Sequence, residues 1–154
     1  MKFSLALLLL TAVTVIGCNK DKFQTKPTIT LKSVNNEIIQ QNGSLVVELE
    51  VTDKEGDVQD SVIVIKNRLN KRVVATLRDT LRFKYPSFPE TPKTRVVVTI
   101  DYQNILSAIL PPTIPGSMPP QRELDTLQVK FAVRDNAGNV SDTLTIPTIY
   151  VVRF

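Results

Sequence analysis

The sequence predicts an all-β fold, an antiparallel sandwich of seven or eight strands, and two patterns carry this prediction. Apolar and polar residues alternate through residues 44–52 and 124–134, which is the period of a strand with one face in a core. Turn sequences such as Asn42-Gly43 separate these short apolar runs. Beyond the first 17 residues, only 103–110 has a pattern compatible with a helix.

The remaining strands follow from the same reasoning. They are predicted at 28–34, 61–67, 72–77, 80–85, 94–102 and 142–153. The run Val62–Ile65 is apolar at every position, which predicts a strand buried on both faces. Pro147 lacks a backbone N–H, so the last strand is expected to bulge there or to lie at a sheet edge.

Composition restricts the possible functions. Hydrophobic residues make up 42% of the 154 residues and charged residues 22%, which is typical of one globular domain. Cys18 is the only cysteine, so no intramolecular disulfide can form and stability must come from the core. The chain has no histidine, which excludes Ser-His-Asp and Cys-His catalysis and histidine-ligated metal sites. The net charge of +4 is modest, and Lys and Arg are scattered along the strands, which argues against nucleic-acid binding.

The amino terminus has the layout of a signal peptide. Lys2 precedes an apolar run, Phe3–Ile16, that is too short for the roughly 20 residues a membrane-spanning helix needs. Gly17 and Cys18 then lead into a polar segment. We therefore expect residues 1–17 to be a signal peptide, 18–27 a tether and 28–154 the folded domain.

The residues Val15-Ile16-Gly17-Cys18 resemble the lipobox of bacterial lipoproteins, with Val15 where leucine is more usual. The resemblance implies that a diacylglycerol is attached to the Cys18 thiol as a thioether and that a peptidase cuts before Cys18. It also implies a lipid-anchored protein of the cell envelope, most simply of the outer membrane. Whether the domain faces the periplasm or the outside is left open. The alternative is an ordinary signal peptide cut elsewhere, which leaves an unpaired thiol.

Two acidic turns resemble those of bacterial immunoglobulin-like, cadherin-like and fibronectin-type-III-like domains. They read DKEGDVQD (53–60) and DNAGNVSD (135–142), and strands are predicted on either side of each. The resemblance covers residues 28–154 and implies an immunoglobulin-like β-sandwich. The Cys…Trp…Cys pattern of antibody domains is absent, which excludes that subclass.

These turns carry a candidate calcium site, because calcium takes six to eight oxygen ligands. Its candidate ligands are Asp53, Asp57, Asp60, Asp135 and Asn139. The alternative is that Asp, Asn and Gly are only what tight turns require. If 72–85 is one bent strand, both turns reach the same end of the sandwich; if Arg78-Asp79 forms a hairpin, they lie at opposite ends.

The segment 105–120 is an apolar, proline-rich connection in which regular strand pairing is prevented by Pro111-Pro112, Pro115 and Pro119-Pro120. Its apolar residues Ile109, Leu110, Ile114 and Met118 are costly to leave in water. The segment is expected to cover an open end of the sandwich or to contact a partner, and the first is favoured because large apolar patches are rare on monomers. Tyr85, Phe88 and Tyr102 could form an aromatic platform or pack in the core.

The combined expectation is a non-catalytic, lipid-anchored envelope protein that acts as a binding or structural module. Its partners are the membrane, through lipid on Cys18, and an envelope protein or glycan. A calcium-dependent adhesin-like module is one alternative. A hydrolase that uses only carboxylates is another, since glycosidases of that kind need no histidine.

Overall fold

The computed structural model describes residues 26–71, 78–106 and 110–153. Cys18, the signal-peptide prediction, most of the tether and the strand predicted at 72–77 lie outside these ranges.

The described residues form nine strands and one short helix, and seven of the strands have three or more residues. The elements are β1 (Thr28–Val34), β2 (Ile38–Ile39), β3 (Ser44–Thr52), β4 (Ser61–Arg68), β5 (Arg78–Lys84), β6 (Lys93–Asp101), α1 (Tyr102–Ile105), β7 (Asp125–Arg134), β8 (Leu144–Thr145) and β9 (Ile149–Val151). In the described parts of the chain, no helix is long and apolar enough to span a membrane.

The strands form two sheets. The first sheet has the order β1-β3-β6, and the second has the order β2-β9-β7-β4-β5, with β8 paired to β7. All pairs are antiparallel except β2 with β9. Near Leu31 and Ser33 the register of β1 against β3 shifts, which marks a β-bulge at this sheet edge. The predicted all-β sandwich is confirmed.

The core lies between the sheets and is built from the alternating residues that predicted the strands. Leu45, Val47, Leu49 and Val51 of β3 are fully buried, and β7 contributes Leu127, Val129, Phe131 and Val133. Burying a side chain of this size stabilises a fold by about 1.5–3 kcal/mol. Phe131 is the largest side chain that is fully buried.

The prediction that β4 is buried on both faces was wrong. Ile63 and Ile65 are only half-buried, because β4 has the core on one face and an uncovered outer face on the other. The segment predicted as the last strand is divided into β8 and β9 around Pro147. Thr145 is opposite Lys130 and Ile149 opposite Leu127, so four residues on this side face three on β7 and the bulge expected at Pro147 is confirmed. The helix predicted within 103–110 is present in part, as the short helix Tyr102–Ile105, and residues 107–109 lie outside the described residues.

The two ends of the sandwich differ in chemistry. The acidic end contains the turns 53–60 and 135–142 and the start of β1, and the loop end contains residues 69–71, 102–106, 110–124 and 152–153. Asp79 lies within β5 and pairs with Lys66 of β4, so the hairpin alternative at Arg78-Asp79 is wrong. β3 and β7 consequently run in the same direction, which brings both acidic turns to the same end.

Candidate functional site

The two acidic turns are in direct contact. The backbone N–H of Asn136 donates a hydrogen bond of 3.0 Å to the carbonyl oxygen of Asp57. This contact joins the connection between β3 and β4 to the turn that follows β7. The convergence on which the calcium hypothesis depends is therefore present.

Asp53 organises the first turn from a buried position. Asp53 is only 3% exposed. Its Oδ2 accepts hydrogen bonds from the backbone N–H groups of Gly56 (3.1 Å) and Asp57 (3.3 Å). Gly56 has a φ of 76°, which residues with a Cβ rarely adopt, so the sequence needs glycine there. The other carboxylate oxygen of Asp53, Oδ1, is buried without a hydrogen-bond partner.

Asp57 shares this environment. Its Oδ1 is also buried without a hydrogen-bond partner. Desolvation raises the pKa of Asp57 above its usual range, and contact with the Asp53 carboxyl group and the negative charge of Asp135 raise it further. Two carboxyl groups in contact are most stable when a proton or a cation lies between them.

The other candidate ligands are satisfied elsewhere. Asp135 accepts hydrogen bonds from the backbone N–H (2.7 Å) and side-chain amide (2.8 Å) of Asn139, so this pair closes its own turn. Asp60 accepts a hydrogen bond from Ser61 (2.8 Å) and lies 3.8 Å from the guanidinium of Arg134. Among the described residues, no three Asp, Glu, His or Cys side chains are arranged to hold a metal ion.

Of the five candidate ligands, Asp53 and Asp57 are the ones with a buried carboxylate oxygen that has no hydrogen-bond partner. Calcium would have to complete its coordination with backbone carbonyls and water, which proteins commonly supply. The calcium site stays a prediction, and Asp53 and Asp57 are its best-supported side-chain ligands.

The loop end differs from the expectation of a plug. Ile105 is fully buried and does cover the end of the core, but Leu110 is 50% exposed, Ile114 38% and Met118 92%. For these three residues the favoured interpretation was wrong, and Ile109 lies outside the described residues. The proline-rich segment folds on itself instead, since the N–H of Ile114 donates to the carbonyl oxygen of Gln121 at 2.7 Å.

Ion pairs with buried cations lie beneath the loop end. Nε of Arg68 is 2.7 Å from Oδ1 of Asp125, and the two side chains are 1% and 0% exposed. A guanidinium nitrogen of Arg153 is 3.8 Å from the other oxygen of Asp125. Lys66, on the same strand as Arg68, pairs with Asp79 at 2.9 Å and donates to the carbonyl oxygen of Asn104.

Sequence reasoning missed these pairs, although a signal was present. Lys66 and Arg68 continue the inward-facing alternation of Val62 and Val64 in β4. A buried basic residue requires an acidic partner within reach of its charged group. The sequence does not show which of its acids supplies that charge.

The aromatic residues do not form one platform. Tyr85 and Phe88 make an edge-to-face contact with ring centroids 5.9 Å apart, near the acidic end. Tyr102 is at the loop end, where its hydroxyl donates to the carbonyl oxygen of Val152 at 2.6 Å. Burial raises the pKa of Tyr85 far above its usual range, so its hydroxyl stays protonated.

No family model matches this sequence. No curated protein matches it either. Among solved structures, a β-glucosidase from Listeria innocua in complex with gluconolactone aligns with 84% of this chain at 9% identity and a TM-score of 0.45. A β-glucosidase from Erythrobacter marinus aligns with 82% at 9% identity and a TM-score of 0.38. The chain spans 16% of the length of each enzyme, so their activity is not carried over, and the fold assignment rests on the strand pairing itself.

Proposed function

We propose that this chain is a non-catalytic envelope lipoprotein with an immunoglobulin-like domain that binds a partner protein through its loop end. The observation that carries the proposal is the distribution of exposed apolar side chains. Nine large apolar residues of the described chain are at least 36% exposed, and five of them lie at the loop end. We call these five the loop-end surface; they are Leu69, Leu110, Ile114, Met118 and Leu124.

The position of the proposed anchor leaves this surface uncovered. Lys26 forms an ion pair of 2.6 Å with Asp142 at the acidic end, so the chain enters the domain there. Lipid on Cys18 then attaches at the end opposite the loop-end surface. The nine residues of β3 alone separate the two ends by about 30 Å.

The loop-end surface is also held in shape, which favours binding of a partner. The side-chain amide of Asn70 donates to the carbonyl oxygen of Leu124 at 2.9 Å and to the carboxylate of Glu123 at 3.2 Å. A bridge between Thr113 and Arg122 closes the base of the segment that carries Met118. A fixed apolar surface loses little entropy on binding.

Site-specific photocrosslinking in intact cells tests the proposal. A photoreactive residue at Met118 is expected to give a discrete adduct with an envelope protein. A matched probe at Val97, which is 56% exposed on the first sheet, is the control and is expected to give none. Equal adducts from both positions, or none from Met118, would contradict a partner at the loop end.

A calcium-dependent module is the second candidate, and the unpartnered oxygens of Asp53 and Asp57 favour it. The carboxylate-only hydrolase has less support. Asp57 and Asp60 would be its carboxylate pair, and Asp60 is already engaged by the Ser61 hydroxyl at 2.8 Å and by the Arg134 guanidinium at 3.8 Å.

A further inference from the structure

The outer faces of the two sheets differ in whether their basic side chains are paired with acidic ones. On the first sheet, every cation at the centre of the face has an acidic partner. Arg95 pairs with Glu48 at 2.6 Å, while Lys93 and Lys32 pair with Glu50 at 3.0 and 3.5 Å. This face is consequently close to neutral.

The second sheet has no such compensation. Arg82 and Lys84 project from β5 and Lys130 from β7, and no Asp or Glu stands at the outward positions of β4, β5 or β7. None of these three cations lies within 4.0 Å of a carboxylate of the described residues. Arg134, farther along β7, is only loosely paired with Asp60 at 3.8 Å.

The register arranges these cations around an apolar stripe. Ile63 of β4 is opposite Arg82 on one side and Ala132 on the other. Ile65, two residues on, is opposite Thr80 on one side and Lys130 on the other. Since neighbouring strands are about 4.8 Å apart, the two rows of cations lie roughly 10 Å apart with the isoleucines between them.

We propose that this basic face, formed by Arg82, Lys84, Lys130 and Arg134 around Ile63 and Ile65, docks the domain on an anionic lipid surface. The inference rests on the lipid anchor of the proposed function. Cations that attract anionic headgroups, combined with apolar groups at the same level, are what holds a protein surface at a membrane interface.

A lipid bilayer is the expected binding surface because of the position of the anchor and the charge of the basic face. Lipid on Cys18 keeps the domain within reach of a bilayer, because the eight residues to Lys26 extend over at most about 28 Å. The charge of the face is complementary to anionic headgroups. Docked in this way, the long axis of the sandwich lies along the membrane, and the loop-end surface points toward neighbouring membrane proteins.

Fluorescence quenching on vesicles tests the inference with the mature lipidated protein, in which Cys18 has no free thiol. A fluorophore is attached at Thr80→Cys, on the basic face, or at Val97→Cys, on the first sheet. The vesicles contain phosphatidylcholine with or without phosphatidylglycerol, together with a lipid that bears a headgroup quencher. We expect strong quenching at position 80 only with phosphatidylglycerol, and little quenching at position 97.

A matched pair of variants separates the effect of the basic face from the effect of the protein's net charge. R82Q/K84Q/K130Q is expected to abolish quenching at position 80, since three charges near an anionic surface change the docked-to-undocked ratio by about a hundredfold. K32Q/K93Q/R95Q removes the same charge from the first sheet and is expected to keep it. Equal quenching with and without phosphatidylglycerol, or equal loss in both variants, would overturn the inference. Failure of the anchor is distinguishable, because no protein would then remain on either vesicle.

Discussion

Removal of one buried charge at the loop end should unfold the domain at a much lower temperature. Asp125 is the main partner of Arg68, and both side chains are at most 1% exposed. Asp125→Asn keeps the volume but leaves the guanidinium buried without a counter-ion. Two of its nitrogens, Nη1 and Nη2, already lack hydrogen-bond partners, so the remaining groups cannot absorb the loss.

The expected cost is about 3–5 kcal/mol of unfolding free energy, the range found when one partner of a buried ion pair is removed. For a domain of this size, each kcal/mol lowers the melting temperature by about 4 °C, so a fall of about 12–20 °C is expected. Urea denaturation and thermal melting followed by circular dichroism measure both quantities.

Two further variants decide whether the explanation is correct. Glu48→Gln breaks the exposed pair with Arg95 on the first sheet and should cost at most about 1 kcal/mol. The double change R68M/D125L replaces the ion pair with apolar side chains and should recover most of the lost stability. A cost below about 1 kcal/mol for Asp125→Asn would refute the reasoning, since a buried guanidinium cannot lose its partner so cheaply.

Three further predictions concern the anchor and the acidic end. Cys18→Ser should abolish fatty-acid labelling and leave the precursor uncut, because the hydroxyl cannot form the thioether; label on a mature-sized product would contradict the lipobox. Calcium at a hundredfold excess over its dissociation constant should stabilise the domain by about 2.7 kcal/mol, and identical melting in calcium and in EDTA would exclude the site. In EDTA, Asp57→Asn should be more stable than wild type at pH 7, and this advantage should shrink as the pH falls.

The sign of the last prediction follows from the raised pKa of Asp57 in the folded state. A folded-state pKa above the unfolded value means that the group contributes most stability below its unfolded pKa. That contribution is lost as the pH rises through the folded pKa. The pKa of Glu50 is lowered, chiefly by its hydrogen bond to Lys93, so Glu50 changes the stability with pH in the opposite direction. Its contribution is the same in wild type and in Asp57→Asn and cancels in the difference between them. A difference that does not change with pH would show that the pKa of Asp57 is not raised in the folded state.

The strands could be predicted because each depends on local alternation. The predicted bounds of β1 and β3 match those observed, and β4, β6 and β7 are within one residue. Ile63 and Ile65 were assigned to a covered face because composition alone does not show what packs on a sheet. The two-residue strands β2 and β8 carry too few residues to display a period.

The candidate site was less predictable because it depends on pairing between distant segments. In the sequence the five candidate ligands are alike, because each is an oxygen-bearing side chain in one of the two acidic turns: Asp53, Asp57, Asp60, Asp135 and Asn139. Only the folded chain separates Asp135, which Asn139 satisfies, from Asp57, whose oxygen has no donor. The basic face was hidden for the same reason, since Arg82 and Lys130 come together only through β4.

The bulge in β1 bears on the lipid anchoring proposed above. Copies anchored in that way would meet in two dimensions at high local concentration, where an open sheet edge can recruit the same edge of a neighbour. The register shift near Leu31 and Ser33 interrupts the regular row of donors and acceptors that such pairing needs. At the edge of the second sheet, β2 is only two residues long and offers little to pair with. These two edges thus offer little for pairing between neighbouring copies, whereas β5 and β6, at the opposite edges, are longer.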